Sequence, residues 1–433
     1  MRKDNWIRSL VHPFNRSFGA TIIAVVTTIL CLVCVDSLYA QERVRTAAGQ
    51  LKIESFRNPE AFFRLGPFEE ELIGSTGVEY TDNSGLTHTD KISRLRFYEG
   101  LSLNTVWVIS HLNQLQFNLG GQLNEDFYGN GRSQVTIGVS PNSNIEFQFA
   151  ISNFQVRLFD RFSYVQDPTS NPRATNTATL NSLTNTVGAE VNTDLNLAGL
   201  SFFGDYTYNN QSGSTAQGQA NPTTTGTRNS LRFGSNVTFH LSPLILYGID
   251  AGLTRSNGSG GGATSSNVTS YHVGPFIRGH PSMLTDFDLA AGVNLTETTP
   301  SVPLGYYVFG VIRHQFNRNW QLVFSASHDL EFTTGTQLTE ESSFRLGTQL
   351  NLTRFITFTG APFVRFGDTP SGNVNTATNQ GSFTRYGVGV GLNWKPHRRW
   401  STDLSYEFAR RIGTSATDSY IQNTITFQVS YRF

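Results

Sequence analysis

Arginines recur at one kind of position in this sequence. Arg345 stands between Phe344 and Leu346, Arg365 between Val364 and Phe366, Arg385 directly before Tyr386, and Arg411 an odd step beyond Phe408. Each lies where apolar residues recur at every second position. The rows are Phe344, Leu346, Leu350, Leu352; Ile356, Phe358, Val364, Phe366; Tyr386, Val388, Val390, Leu392, Trp394; and Leu404, Tyr406, Phe408. A period of two sends alternate side chains to opposite faces of a strand, so these arginines point away from the apolar row. Arg94 and Arg96 do the same on segment 92–104. Guanidiniums gathered at one level suit carboxylate, sulfate or phosphate groups, which they grip through paired N–H donors. That is binding and orienting chemistry, not bond breaking. Glu79, Asp205, Asp329 and Glu331 share the polar faces at a similar level. Two readings stay open. The charges pair among themselves and stiffen a wall, or the arginines line a basic path for anionic solutes.

Catalytic groupings are not expected. His111, His240, His280, His314 and His397 fall at or beside connections, His88 in a loop, and His272 and His328 on strands. His328 and Asp329 are adjacent, but strand neighbours face opposite sides and cannot form a base with its orienting acid. No spacing suits a metal ion and no glycine-rich loop suits a phosphate. The expectation is a protein with no enzymatic activity, no cofactor and no metal.

The elements that carry these residues are alternating segments at 71–82, 92–104, 112–124, 132–140, 144–165, 183–192, 195–209, 227–240, 244–256, 267–280, 283–298, 304–315, 319–333, 341–352, 355–367, 382–394, 400–412 and 419–433. Segment 144–165 changes register near Asn153: Ile145, Phe147, Phe149 and Ile151 are odd, whereas Val156, Leu158, Phe162 and Tyr164 are even. A bulge within one long strand is expected, a hairpin being the alternative. Glu99 and Arg410 fall on apolar faces. A bulge beside Gly100 would turn Glu99 inward, and Arg410 stands near enough to the rim to reach water.

Connections alternate between short and long. Pro141–Ser143, Ser242–Pro243, Pro281–Ser282, Phe316–Arg318, Thr353–Arg354 and Lys395–Arg399 are short, while Gln211–Gly226, Asn257–Ser266 and Asp368–Gly381 are long and rich in Gly, Ser, Thr and Asn. Short turns on one side and long loops on the other mark a membrane barrel. The expected fold is all-β: a transmembrane antiparallel up-and-down barrel of sixteen to eighteen strands, eighteen preferred, over 71–433. Both termini then lie in the periplasm.

The amino end supports export. Arg2, Lys3, Arg8 and Arg16 precede the apolar run Ala20–Val35, and Leu38-Tyr39-Ala40 follows, so 1–40 is expected to be a cleaved signal peptide. Residues 41–70 read as a periplasmic lead-in. Both cysteines, Cys31 and Cys34, fall inside the signal, which leaves no disulfide or thiolate chemistry beyond it. Formal charge is zero, which gives no reason to expect nucleic-acid binding. Mean hydropathy is negative, as expected where a strand's two faces cancel. Trp107, Trp320, Trp394 and Trp400 lie close to short turns and would form a periplasmic aromatic girdle. The last residues, NTITFQVSYRF, alternate to an aromatic end. Tyr431 and Phe433 there look like the signal read by the barrel-assembly machinery.

Leu65–Asn83 (LGPFEEELIGSTGVEYTDN) with the strand Phe97–Leu103 resembles the amino-terminal hairpin of the β-barrel porin 2 family. The stretches GVGVGLNWKPHRRWSTDLSYEFARR and ITFQVSYRF are similar to that family's carboxy-terminal half. The resemblance implies an outer-membrane barrel associated with exopolysaccharide synthesis and export, and brings no catalytic motif. The expected function is an outer-membrane channel for exopolysaccharide or other saccharides. The alternatives are a general diffusion porin for small hydrophilic solutes, and a non-conducting surface barrel that binds glycans through its loops. Expected partners are outer-membrane lipid, the barrel-assembly machinery and polysaccharide or small anionic solutes. The oligomeric state is open.

Overall fold

The computed structural model describes residues 63–166, 177–195, 198–215, 226–260, 263–297, 304–332, 338–368, 382–414 and 419–433. The proposed signal peptide lies outside them. The strands are β1 (Phe63–Leu65), β2 (Phe68–Thr81), β3 (Arg94–Val108), β4 (Asn113–Tyr128), β5 (Ser133–Ile151), β6 (Phe154–Gln166), β7 (Thr177–Asp194), β8 (Ala198–Thr215), β9 (Gly226–Ser242) and β10 (Ile245–Gly260). They continue as β11 (Ala263–Ser282), β12 (Thr285–Glu297), β13 (Gly305–Asn317), β14 (Trp320–Phe332), β15 (Leu338–Asn351), β16 (Ile356–Asp368), β17 (Phe383–His397), β18 (Trp400–Gly413) and β19 (Tyr420–Arg432).

From β2 to β19 each strand pairs antiparallel with its sequence neighbours. The sheet closes where β19 meets β2, from Thr424 opposite Thr81 to Arg432 opposite Ile73. Closure removes every open edge, as a sheet needs if it is to stand in lipid. The result is an eighteen-stranded barrel. No helix among the described residues is long and apolar enough to cross a membrane. The short β1 turns back through Gly66-Pro67 and lies along the start of β2, from Phe63 opposite Glu70 to Leu65 opposite Phe68. Gly66 has φ +61°, a left-handed backbone that glycine adopts without strain.

Alternation sorts the side chains as the strand period requires. Leu95, Phe97 and Leu101 on β3, or Ile425 and Phe427 on β19, stand exposed on the outside, while Arg94, Arg96 and Gln422 are buried inside. Inward rings lie across glycines of the next strand. A Cβ on Gly77 would fall 2.4 Å from Tyr98 Cζ and 2.6 Å from the Phe427 carbonyl. Only glycine permits that approach, and the Tyr98 hydroxyl then reaches Gln428 Oε1 at 3.2 Å across the closing strands.

The strand number agrees with the sequence, but two punctuation marks are exchanged. Pro141–Ser143 is not a turn. β5 runs through it, with ladder pairing broken between Val139 and Ser143 on the β6 side and between Val139 and Asn144 on the β4 side. Pro141 has no N–H to donate, and a bulge absorbs it without ending the strand. The register change near Asn153 is the hairpin instead, with Ser152 at φ 55° and Ile151 paired to Phe154. Glu99 is not turned inward either, because β2 and β3 pair without interruption past Thr76–Glu99. The barrel wall begins at Phe68, inside the segment read as lead-in. Residues read as loops around 211–226 and 257–266 continue as paired strand in β8 to β11, where Gly, Ser, Thr and Asn hide the alternation.

Candidate functional site

The interior is where the chain gathers its polar groups. At the long-loop ends of β2, β3 and β4, Arg94 Nη2 meets Glu79 Oε1 at 2.6 Å, and Arg96 Nε and Nη2 meet the two Asp126 oxygens at 2.6 and 3.1 Å. Arg94 and Asp126 are each 1% exposed. A two-pronged contact of this kind is the strong form of an arginine–carboxylate bond.

The loop 82–93 makes this corner dry. It folds to the inner side of β19 rather than out into solvent. Asn83 Nδ2 donates to the Thr87 and Ile421 carbonyls at 2.8 and 2.9 Å, and its Oδ1 accepts from Thr87 N at 3.0 Å. Gln422, on the inner face of β19, donates to the Asn83 carbonyl at 3.2 Å. The Asp82 carboxylate accepts from the backbone and side chain of Asn423 at 2.7 and 2.6 Å. Leu86 packs against Tyr420, and both are buried.

The other sequence-selected arginines divide. Arg411, also 1% exposed, lies over the Phe383 ring at 3.9 Å, and Arg385 lies over Phe363 at 5.3 Å while reaching Glu407 at 3.6 Å. Arg365 faces Glu341 at 3.5 Å. Arg345 differs: it is exposed toward the interior and has no hydrogen-bond or ion-pair partner among the described residues. The wall beside it is built of small residues, with Ala361 opposite Gly389 and Gly391 opposite Ser405 on neighbouring strands. A Cβ added at Gly389 would meet no atom within 4 Å, so that stretch of wall faces open space.

Among the selected acids, Glu79 holds Arg94, and Asp205 holds Arg232 at 2.8 Å. Asp329 accepts from Asn294 at 2.9 Å. The Glu331 side chain lies outside the described ones. Sequence reasoning missed a second set of inward charges. Arg157 bridges Glu146 at 2.6 Å and Glu190 at 3.5 Å, Asp250 faces His272 at 3.1 Å, and Arg278 faces Asp288 at 2.8 Å. Their alternation was legible, but nothing in one strand shows which acid its neighbour supplies. Among the described residues no group of His, Cys, Asp and Glu could hold a metal ion.

On the outside, Trp107, Trp320, Trp394 and Trp400 all stand exposed at the short-turn ends. Phe68 stacks on Trp107 at 5.2 Å, Phe316 on Trp320 at 4.3 Å, and Tyr431 meets Trp400 at 6.1 Å and Phe433 at 5.0 Å. Phe433 N donates to the Leu72 carbonyl at 2.9 Å. At the long-loop end Tyr80, Tyr306 and Tyr386 point outward, a second aromatic level that the sequence reading did not pick out.

A closed antiparallel barrel with an apolar outside, aromatic margins and a polar inside is the architecture of outer-membrane β-barrels, and this chain is one. No family model matches it, and no curated protein matches it. Among solved structures it is similar to OccK5 (OpdH) of Pseudomonas aeruginosa, at 10% identity over 85% of this chain and 98% of that one, with a TM-score of 0.43. It is also similar to OccK7 (OpdD) of the same organism, at 7% identity over 85% and 99% with a TM-score of 0.45. The siderophore receptor PirA, again from Pseudomonas aeruginosa, aligns at 9% identity over 84% and 80% with a TM-score of 0.40. Likenesses this distant say nothing of solute or partner.

Proposed function

We propose that the barrel is an outer-membrane channel that passes hydrophilic solutes, with saccharide chains or their fragments, including exopolysaccharide, as the cargo class. The observation that carries this reading is the interior around Arg345. There a free, exposed guanidinium stands beside a wall of glycine, alanine and serine that faces open space. Most other inward arginines are held by acids, which supports the wall-stiffening role for Arg94 and Arg96 and leaves Arg345, with Arg365 beside it, as the basic element of the path. A pathway that must pass large hydrated chains benefits from a polar, small-residue wall, because polar groups replace solute hydration without trapping it.

Residues 1–40 serve in this proposal as the export signal and 41–62 as a periplasmic lead-in, with Tyr431 and Phe433 recognised by the barrel-assembly machinery. The four tryptophans anchor the periplasmic interface, where indole rings favour the headgroup level. Purified protein in a planar bilayer tests the proposal. Discrete conductance steps are expected, and Arg365→Glu with Arg385→Glu should move selectivity toward cations. A folded barrel that never conducts sinks the channel and leaves a surface barrel whose loops bind glycans. Small-electrolyte conductance with no block by acidic oligosaccharides would instead mark a general diffusion porin.

A further inference from the structure

The outer face of β3 to β5 does not look like the rest of the exterior. Glu99 points outward from the middle of β3 between Thr76 and Leu123, exposed, and no described residue partners its carboxylate. Two strands away, at the middle of β5, the bulge leaves Pro141 and Asn142 exposed on the outside with the ladder broken on both sides. Asn142 N is held by Ser140 Oγ at 3.2 Å, but its side-chain amide has no described partner. Elsewhere on the exterior the middles of the strands are apolar: Val273 and Val293, Phe324, Phe344, Val388 and Val390, Phe427. The exception is Asp160 on β6, and it is already bound by Asn185 Nδ2 at 2.6 Å.

Lipid cannot satisfy a carboxylate, a free amide or an interrupted backbone ladder. Protein can. Between Glu99 and Asn142 lies β4, whose outward residue at that level is Gly121, flanked by Leu119 and Leu123. A Cβ added to Gly121 would meet nothing within 4 Å, so this glycine is not required by its own barrel. A small residue at the centre of a membrane-exposed face lets a second backbone approach closely.

We propose that this face is the contact between two copies of this chain, related by a two-fold axis along the membrane normal that passes through Gly121. The axis carries β3 of one copy opposite β5 of the other. Glu99 then accepts a hydrogen bond from the Asn142 amide of the partner subunit, and the relation repeats in reverse, as an isologous contact requires. Donor meets acceptor at both places, which is the complementarity that selects a second copy over a foreign protein. Leu119 and Leu123 pack against their own equivalents on either side of the axis.

Cysteine pairs read the contact directly, since Cys31 and Cys34 alone supply native thiols and can be replaced by serine. Full-length protein assembled in outer membranes and carrying both Glu99→Cys and Asn142→Cys should cross-link to twice the monomer mass, and Gly121→Cys alone should do the same. Val390→Cys, on the far side, should stay monomeric under the same oxidant. Gly121→Trp fills space that is open in the single barrel, so it should fold, keep its heat-modifiable mobility on a gel, and run as a monomer in native mass spectrometry. Cross-linking from Val390→Cys but not from the proposed face overturns the proposal. So does a folded wild type that remains monomeric in native membranes, or an adduct to a protein of different mass.

Discussion

Replacing Asn83 with alanine should release the loop 82–93 from the inner wall. The Asn83 side chain makes four hydrogen bonds in the buried core of that loop: to the Thr87 carbonyl at 2.8 Å, to the Ile421 carbonyl at 2.9 Å, and from Thr87 N and Oγ1 at 3.0 and 3.3 Å. Each is worth about 0.5–1.5 kcal/mol net, so the loop loses roughly 2–4 kcal/mol of its docking free energy. An energy of that size raises the undocked population roughly 30- to 800-fold. The barrel itself should survive, because no ladder pair between β2 and β19 depends on the Asn83 side chain. Single-channel recording supplies the first readout: conductance or opening noise should rise as the loop leaves the interior. Hydrogen exchange supplies the second, with amides of Ser84 and Thr87 losing protection while those of β2 and β19 keep it. Unchanged conductance together with unchanged exchange at Thr87 would refute the assignment of the loop as an inward-docked roof.

Asp126→Asn should destabilise the barrel by about 3–5 kcal/mol, because it leaves the Arg96 cation buried without its acid; the denaturant midpoint by tryptophan fluorescence measures it. The double variant Asp126→Leu with Arg96→Met should recover most of that loss, and failure to recover would mean that the pair does more than balance charge. Gly77→Val should impair closure, since its Cβ meets both the Tyr98 ring and the Phe427 backbone; the folded fraction on a heat-modifiability gel should fall while that of Gly389→Val is unchanged. Glu146→Gln should weaken the hold on Arg157 and lower the denaturant midpoint, with Glu190 at 3.5 Å leaving the effect smaller than that at Asp126.

Much of the fold was legible because the signal is repeated. One alternating segment is ambiguous, but a long series of them, with short and long connections in turn, fits a barrel. The errors have local causes. Pro141-Asn142-Ser143 has the composition of a turn, and only the partner strands show that the ladder resumes on both sides. Ser152-Asn153 is the real turn and looks unremarkable as sequence. The faces of Arg94, Arg345, Arg385 and Arg411 followed from parity alone. What parity does not carry is depth of burial. Arg94 and Arg411 are sealed because loop 82–93 folds inward, and Asn83 and Leu86 gave no sign of that, being a common polar residue and one apolar residue in a polar stretch. Pairing is also invisible along one strand: the Asp126 that neutralises Arg96 comes from β4, and the Glu341 that faces Arg365 comes from β15.

The reversal potential of purified protein in a planar bilayer, under a potassium chloride gradient, tests the channel most directly when wild type and Arg345→Glu are compared. Arg345 is exposed and unpartnered among the described residues, so charge reversal there should leave folding intact. Discrete conductance is expected for both proteins, with the reversal potential of Arg345→Glu displaced toward cation selectivity. Heat-modifiable, folded protein that inserts but never conducts, or a conducting pair with identical reversal potentials, would contradict a solute path past Arg345.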